Sequence, residues 1–248
     1  MTSPRSASKS TRPPWKGYAV AAAGLLVVAG VVGVGVAAQQ NGEAPPGSPV
    51  VIHDNPADTG GEPEFDMSRR IDGDPTALGA VDAPVVLIEY ADFRCPFCGV
   101  YARDTMPQLV QEYVDSGEVR MEWRDFPVFG DESVAAAVAA RAAGEQGLFW
   151  EFGEVVFADA PERGHVALPP ERLIEIAQQI GVPDMAAFEA DLTNPEFLAR
   201  VDADTAEARS LGVTGTPTFL VNDTPLSGAQ PMTAFRDAIE AELEQARN

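Results

Sequence analysis

Both cysteines of this 248-residue chain lie in one short motif, Cys95-Pro96-Phe97-Cys98. An unbroken apolar run, Val85–Ile88, precedes the motif and predicts a strand covered on both faces, and apolar residues at helical spacing follow it. Because backbone N–H groups and the dipole at a helix N-terminus stabilise an anion, we expect Cys95 to be an acidic, reactive thiol. Two residues between the cysteines also allow one helical turn to close a small disulfide ring. The motif therefore predicts reversible thiol–disulfide chemistry.

Two other interpretations of the cysteine pair stay open beside this one. A structural disulfide would suit a chain exported to an oxidising compartment, although so small a ring gains little loop entropy. A structural zinc site usually needs four ligands, and the chain has no second cysteine pair and only two histidines, His53 and His165. Redox chemistry is therefore favoured over both.

The elements around the motif predict an α/β domain with a helical insertion. We expect a helix of about 20 residues after the motif, kinked at Pro107, and then a strand in which Val119, Met121 and Trp123 alternate with charged residues and only one face lies in the core. The helices predicted next are Glu132–Gln146, Leu148–Ala158, Pro170–Gly181 and Pro195–Leu211. The chain then ends with short strands at Thr218–Val221 and Thr224–Ser227 and an amphipathic helix around Phe235 to Leu243. The insertion spans about 131–211.

Two stretches together resemble the DsbA-like thiol:disulfide oxidoreductases of the thioredoxin superfamily, in their membrane-anchored bacterial form. The first is VLIEYADFRCPFC at 86–98, and the second is VTGTPTFLVN at 213–222, with a helical stretch between them. The resemblance covers roughly Asp72 to the C-terminus. It implies a thioredoxin-like fold with an inserted helical domain, and a Cys95–Cys98 disulfide that is the redox centre without any bound cofactor.

The resemblance also implies roles for single residues. It makes Cys95 the nucleophile, Cys98 the resolving cysteine and Pro217 a cis-proline that faces the disulfide. The residues that would tune the redox pair or contact the substrate are Pro96, Phe97 and Thr216. Strongly oxidising members of the family have a histidine between the cysteines, where this chain has Phe97. The redox strength therefore stays open.

An acidic residue, Glu89, precedes Cys95 by six positions, where the resembling proteins carry a buried acid. A carboxyl close under Cys98 with a raised pKa could accept the proton of that thiol when it attacks a mixed disulfide. The alternative is that Glu89 ends the strand with its carboxylate in water. Asp92, also ahead of Cys95, is interpreted as a turn or cap residue.

The N-terminal part of the chain has the pattern of a membrane anchor. Residues 1–17 form a basic head without Asp or Glu, and 18–38 is an uncharged apolar run long enough, as a helix, to span about 30 Å of hydrocarbon. The basic head predicts a cytoplasmic N-terminus and a single-pass topology, with the remainder outside the cytoplasm. The alternative is a signal peptide cleaved near the end of this run. Residues 39–66 predict a flexible Pro/Gly/acidic tether, or an edge strand at 50–53, and 67–248 form the folded domain.

The charge and the aromatic content of the chain limit the kinds of partner that it is expected to bind. The formal net charge of −21 argues against nucleic acid, because phosphates require Lys and Arg. The excess acid is interpreted as a solvated surface. An aromatic run is interpreted as the core of the insertion rather than a peptide groove, and its residues are Phe149, Trp150, Phe152 and Phe157.

These observations predict a membrane-tethered, extracytoplasmic enzyme that oxidises the thiols of exported polypeptides. A quinone-linked membrane thiol oxidase, or another redox partner, would restore its disulfide. The enzymatic alternative is a reductase or isomerase that uses the same residues in the opposite direction. The alternative from another class is a tethered binding module whose cysteine pair is only structural.

Overall fold

The computed structural model describes residues 66–248. The predicted basic head at 1–17, the membrane-spanning helix at 18–38, the alternative edge strand at 50–53 and all of the tether except Asp66 lie outside the described residues. In the described part of the chain, no helix is both long and apolar enough to cross a membrane.

A mixed five-stranded sheet forms the centre of the domain. From β1 to β5, the strands are Ala77–Leu78, Val85–Ala91, Val119–Asp125, Thr218–Val221 and Thr224–Ser227, and their order in the sheet is β1-β3-β2-β4-β5. Strands β2 and β3 are parallel, whereas the other neighbours pair antiparallel. The predicted strand, helix, strand unit is confirmed. Strand β1 was not predicted, because two residues are too few to show a period.

The connection from β2 to β3 is helical and broken near its middle. Helix α1, Pro96–Asp104, is followed by α2, Met106–Leu109, and by a π-helical turn, Val110–Val114. Thr105, between α1 and α2, has φ −110°, far from the usual helical value of about −63°. Pro107 accounts for this break, because it has no N–H to donate and its ring collides with the preceding turn. The predicted kink is confirmed, and the predicted single helix is divided into three pieces.

Five helices connect β3 to β4 and form the insertion. They are α3 Asp131–Gly144, α4 Phe149–Ala158, α5 Pro170–Gln179, α6 Met185–Asp191 and α7 Pro195–Ser210. A last helix, α8, covers Met232–Ala246. All of these helices except α6 were predicted. Helix α6 is short, and its N-cap is Asp184, whose carboxylate accepts a hydrogen bond of 2.9 Å from the backbone N–H of Ala187.

Apolar side chains pack on both faces of the sheet. On one face, Val85 and Leu87 of β2 lie against α1 and α8, and on the other face Val86 and Ile88 lie against α7. Because both faces are covered, β2 is buried along its whole length, as its unbroken apolar run predicted.

The aromatic side chains of α4 join the insertion to the sheet. The ring of Phe93, just after β2, stacks on Trp123 of β3 at 4.7 Å and on Phe157 of α4 at 5.6 Å between centroids. Phe149 and Phe152 of α4 are also buried in this cluster. The predicted aromatic core of the insertion is confirmed for these residues, whereas Trp150 is only partly buried.

The charged side of β3 is buried, so the prediction that only one face of this strand lies in the core is wrong. All seven residues of β3 are buried. The Glu122 carboxylate pairs with Arg120 at 2.9 Å and with Arg124 at 2.8 Å, and it accepts the backbone N–H of Arg69. Charged groups can leave water when each one is paired and hydrogen-bonded, which is why this polar face can be covered.

An ion-pair network extends from this strand into the insertion and consists of Arg69, Arg120, Glu122, Arg124, Asp125, Arg141, Asp204 and Glu207. Arg141 of α3 pairs with Asp125 at 2.7 Å and with Asp204 of α7 at 2.6 Å. Burial opposes ionisation of Glu122, but hydrogen bonds from backbone N–H groups and guanidinium groups outweigh it and lower the pKa of Glu122 to about 2. The network therefore ties the sheet to both α3 and α7.

Candidate active site

The cysteine motif lies where the sheet meets helix α1. Cys95 holds the N-cap position of α1 and Pro96 is the first helical residue, so Cys98 lies about one turn inside the helix. Both cysteines are free thiols and both are buried, with Cys95 1% exposed and Cys98 0%. Within residues 66–248, no group of three or more His, Cys, Asp and Glu side chains is arranged to hold a metal ion.

Asp92 shapes the turn between β2 and the motif. Its carboxylate accepts the backbone N–H of Arg94 at 2.8 Å. It also accepts the backbone N–H of Val128 at 2.7 Å and that of Phe129 at 3.2 Å. The interpretation of Asp92 as a turn residue is confirmed, and the same carboxylate holds the loop after β3 beside the motif.

The Cys95 thiol is acidic. A hydrogen bond from the Cys98 thiol lowers its pKa most, burial opposes this effect, and Thr216 and the backbone N–H groups of Cys98 and Phe97 lower it further, to about 6. An ordinary cysteine has a pKa of about 8.5, so most of Cys95 is a thiolate at neutral pH. The acidity expected from the helix start is therefore present, although the largest single cause is the second cysteine.

The Cys98 thiol is shifted in the opposite direction. Burial raises its pKa well above the ordinary value, and the hydrogen bond to Cys95 and the charges of Cys95 and Glu89 raise it further. Cys98 therefore stays protonated under conditions in which Cys95 is ionised. A group nearby must take up or supply its proton whenever it reacts.

Glu89 lies in the interior of the sheet. It is 3% exposed, and its partners across the sheet are Trp123 of β3 and Phe219 of β4. Burial raises its pKa, and the negative charge of Cys95 raises it further. The alternative in which Glu89 ends the strand with its carboxylate in water is therefore wrong. A buried carboxyl with a raised pKa is suited to exchange a proton with a neighbouring thiol.

The second stretch of the resemblance returns to the cysteine motif. The Thr216–Pro217 peptide bond is cis, as the resemblance implies. The neutral Cys95 thiol donates a hydrogen bond of 3.3 Å to the Thr216 carbonyl oxygen. The Thr216 hydroxyl is buried. Residues more than a hundred positions apart thus meet at one sulfur atom.

The surface next to the motif carries exposed apolar side chains. Phe97 is 59% exposed, whereas Pro96 beside it is buried. Val128, in the loop held by Asp92, is 39% exposed. Large apolar side chains that remain open to water next to a reactive thiol are available for contact with a substrate.

Two residues near the site were not assigned to it from the sequence. His165, in the loop before α5, places its Nδ1 atom 3.2 Å from the Arg94 carbonyl oxygen and its ring against Phe129. Tyr101 is fully buried in α1, three residues after Cys98. The helical spacing of Tyr101 from Cys98 was a usable signal, whereas nothing in the local sequence places His165 here.

The opposite shifts of the two thiols predict a simple titration. When the reduced protein is titrated and thiolate absorbance is followed in the ultraviolet, one thiolate should form with a midpoint near pH 6, from Cys95, and the second should not form until far above it. In a Cys98→Ala variant the midpoint should rise, because the largest cause of the low pKa is removed. Denatured protein is the control, and both of its midpoints should lie at about pH 8.5. A midpoint of about pH 8.5 for both thiols in the folded protein would contradict the assignment of Cys95 as the acidic thiol.

Comparisons with known proteins show the family to which the chain belongs. A family model described as thioredoxin matches residues 72–241. The probable disulfide bond formation protein D of Bacillus anthracis is 31% identical over 68% of this chain and 78% of its own length. The Na(+)/H(+) antiporter NhaA 3 of Salinispora tropica is 34% identical over 74% of this chain, and the chain spans 27% of the length of that protein.

Solved structures share the fold. The oxidised form of BdbD from Bacillus subtilis has a TM-score of 0.64 and 27% identity, over 69% of this chain and 94% of that chain. The alpha-DsbA1 protein of Wolbachia pipientis has a TM-score of 0.60 and 23% identity, over 69% of this chain and 92% of that chain. The family model covers well over half of the chain and includes the whole cysteine site. The chain therefore belongs to the thioredoxin family, as one of its DsbA-like thiol:disulfide oxidoreductases.

Proposed function

We propose that this enzyme is extracytoplasmic and oxidises the thiols of exported polypeptides through a Cys95–Cys98 disulfide. The observation that carries the proposal is the opposite shift of the two thiols, with the pKa of Cys95 lowered to about 6 and that of Cys98 raised. A stabilised Cys95 thiolate favours the reduced pair over the disulfide, so the disulfide readily accepts electrons. A relative called disulfide bond formation protein D supports the same direction.

Oxidation of a substrate takes two exchange steps at this pair. A substrate thiolate attacks the Cys95 sulfur, the Cys95–Cys98 bond breaks, and Cys98 leaves as a thiolate that takes a proton from Glu89. A second substrate thiolate then attacks the substrate sulfur of the mixed disulfide, which releases the oxidised substrate and the Cys95 thiolate. Two electrons pass from the substrate to the cysteine pair. The proton on Cys98 returns to the Glu89 carboxylate when the pair is reoxidised.

The surroundings of Cys95 suit an unfolded polypeptide as the substrate. The Thr216 carbonyl oxygen lies 3.3 Å from the Cys95 sulfur, so a substrate that reaches this sulfur also meets the backbone of the Thr216–Pro217 segment. Phe97 and Val128 offer apolar contacts on the open side. Polypeptides that have not yet folded expose apolar side chains, which gain by burial against such a surface.

Reoxidation needs a partner outside the chain, because the chain has no cysteine beyond Cys95 and Cys98. We assign this role to a quinone-linked thiol oxidase of the membrane. The apolar run at 18–38 would hold the enzyme at the membrane surface, with the basic N-terminus in the cytoplasm and the catalytic domain outside. Enzyme and oxidase would then meet on the same side of the membrane.

A disulfide reductase or isomerase is the second candidate, and Phe97 is the observation that favours it. Its side chain offers the Cys95 thiolate neither a positive charge nor a hydrogen-bond donor, in contrast to the histidine expected of strongly oxidising members of the family. A less stabilised thiolate gives a less oxidising disulfide. The reduction potential of the Cys95–Cys98 pair therefore decides the direction of electron flow.

Equilibration of the full chain with glutathione buffers distinguishes the two candidates. The proposed function predicts a reduction potential less negative than about −200 mV, whereas a value close to the roughly −270 mV of thioredoxin would assign a reductase. Oxidative refolding of a reduced ribonuclease measures the activity directly. The Cys95→Ala, Cys98→Ala double variant is the inactive control. If the cysteine pair exchanges with neither glutathione nor the ribonuclease, the result would support the alternative in which the protein is a binding module with a structural disulfide.

A further inference from the structure

A buried tyrosine lies beside the proposed proton pathway and has no hydrogen-bond partner. Tyr101 follows Cys98 by three residues in α1, so the two side chains share one side of the helix. Tyr101 is 0% exposed, and its hydroxyl has no partner among residues 66–248. Buried hydroxyl groups are nearly always hydrogen-bonded, so this one requires a physical explanation.

The ring of Tyr101 packs on the face of the sheet that carries Glu89. It contacts the ring of Phe219 at 4.5 Å between centroids, and Phe219 is the β4 partner of Glu89 across the sheet. Leu87, which shares a face of β2 with Glu89, lies in the same cluster as Tyr101. Burial raises the pKa of Tyr101, and the charges of Glu89 and Cys98 raise it further, as expected of a hydroxyl close to both groups.

We infer that Tyr101 is a positioning residue for the proton exchange between Glu89 and Cys98, and that its hydroxyl donates a hydrogen bond to the Glu89 carboxylate whenever that carboxylate is ionised. The inference rests on the proposed function. When a mixed disulfide on Cys95 is resolved, the Cys98 thiol gives its proton to Glu89, the Cys98 sulfur bonds to the Cys95 sulfur, and the substrate leaves as a thiolate. Tyr101 keeps its own proton and stabilises the ionised Glu89 before the transfer.

The other side chains around Glu89 leave this role to Tyr101. Trp123 of β3 donates its indole N–H to Asp125, at 2.7 Å, and so does not serve Glu89. Phe219 of β4, and Phe235 of α8 packed on it, carry no polar group. The titratable groups whose charges act on Glu89 and its neighbours are Cys95 at the N-cap of α1 and Cys98 and Tyr101 within α1. On the same side of β3, Asp125 is paired with Arg141 of α3.

A Tyr101→Phe variant tests the inference, because it removes only the hydroxyl. The reduced full chain is mixed with oxidised glutathione and quenched with acid, and mass spectrometry follows the Cys95–glutathione disulfide as it forms and as Cys98 resolves it. The hydrogen bond favours ionised Glu89, so its loss should raise the pH midpoint of the resolving step by about one unit. Below the wild-type midpoint that step should slow several-fold, because less Glu89 is ionised. Formation of the mixed disulfide should keep its rate.

Two further variants make the result specific. In a Glu89→Gln background the Tyr101→Phe change should have no further effect on the resolving step, because the carboxylate it acts on is absent. Tyr113→Phe is the matched control, since Tyr113 is also buried but donates its hydroxyl to Glu240, at 2.9 Å, and both steps should be unchanged. Equal slowing by Tyr101→Phe with and without Glu89, or an unmoved midpoint, would overturn the inference.

The same measurements separate a failure of this inference from a failure of the proposed function. If the wild-type chain forms no mixed disulfide on Cys95, or if Glu89→Gln does not slow its resolution, the proposed chemistry itself is wrong. If the wild-type chain forms the mixed disulfide and Glu89→Gln slows its resolution, but Tyr101→Phe does not change the resolving step, only the inference about Tyr101 is wrong. Thermal unfolding of each variant completes the test. A structural role for the hydroxyl would lower the melting temperature without moving the pH midpoint.

Discussion

A Cys98→Ala variant of the full chain should accumulate mixed disulfides with exported polypeptides, and a Cys95→Ala variant should accumulate none. Cys95 is the acidic thiol at the start of α1, whereas burial keeps Cys98 protonated. Without Cys98, nothing within the enzyme can attack the bond between Cys95 and a substrate, so the covalent complex persists. We expect at least about a tenfold difference in trapped complexes between the two variants, the scale on which a reactive thiolate exceeds a neutral thiol.

The trapping experiment compares the variants after acid quenching and non-reducing electrophoresis. Removal of Cys98 also removes the largest cause of the low pKa of Cys95, so trapping is best measured at about pH 8, where an ordinary thiol is partly ionised. The complexes should disappear on reduction, and the Cys95→Ala, Cys98→Ala double variant should form none. Trapping by Cys95→Ala instead of Cys98→Ala would reverse the assignment of nucleophile and resolving thiol.

An Arg124→Met variant should lose about 3–5 kcal/mol of unfolding free energy, the usual cost of removing one partner from a buried ion pair. The Arg124 side chain is 0% exposed and pairs with Glu122 at 2.8 Å and with Glu207 at 3.2 Å. Its removal leaves Glu122 with one buried guanidinium partner fewer and no water to replace it. Urea denaturation of wild type and variant measures the difference.

An exposed ion pair provides the control for this stability measurement. Arg247 pairs with Glu118 at 3.4 Å on the surface, and its side chain is mostly exposed. An Arg247→Met variant should change the unfolding free energy by less than about 0.5 kcal/mol. Equal losses in the two variants would show that burial of the network does not determine its contribution.

The network also predicts how stability responds to acid. The pKa of Glu122 is about 2 in the folded protein, below its ordinary value of 4.5. A lowered folded-state pKa gives stability that is fully present above about pH 4.5 and is lost as the pH falls towards 2. In Arg124→Met one of the donors that lowers this pKa is missing, so the loss of stability between these pH values should be smaller. Urea denaturation at a series of pH values measures both curves.

The local features of this chain could be predicted from the sequence, because neighbouring residues determine them. The apolar run of β2, the helix that begins at the cysteine motif and the break at Pro107 each depend on residues a few positions apart. The acidity of Cys95 follows in part from the same local fact, since a helix begins at its side chain. The pairing of the two motifs at 86–98 and 213–222 came from family resemblance and not from periodicity.

Only the tertiary structure decided which polar residues are removed from water. The alternation along β3 is the same whether its charged face meets solvent or paired charges, and the partners that bury it, Arg69 and Glu207, lie far away in the sequence. The same holds for Glu89, which lies between Trp123 of β3 and Phe219 of β4 and is buried, and for Tyr101, whose hydroxyl is buried. Burial depends on which other residues pack on a side chain. The pattern of residues along one strand does not contain that information.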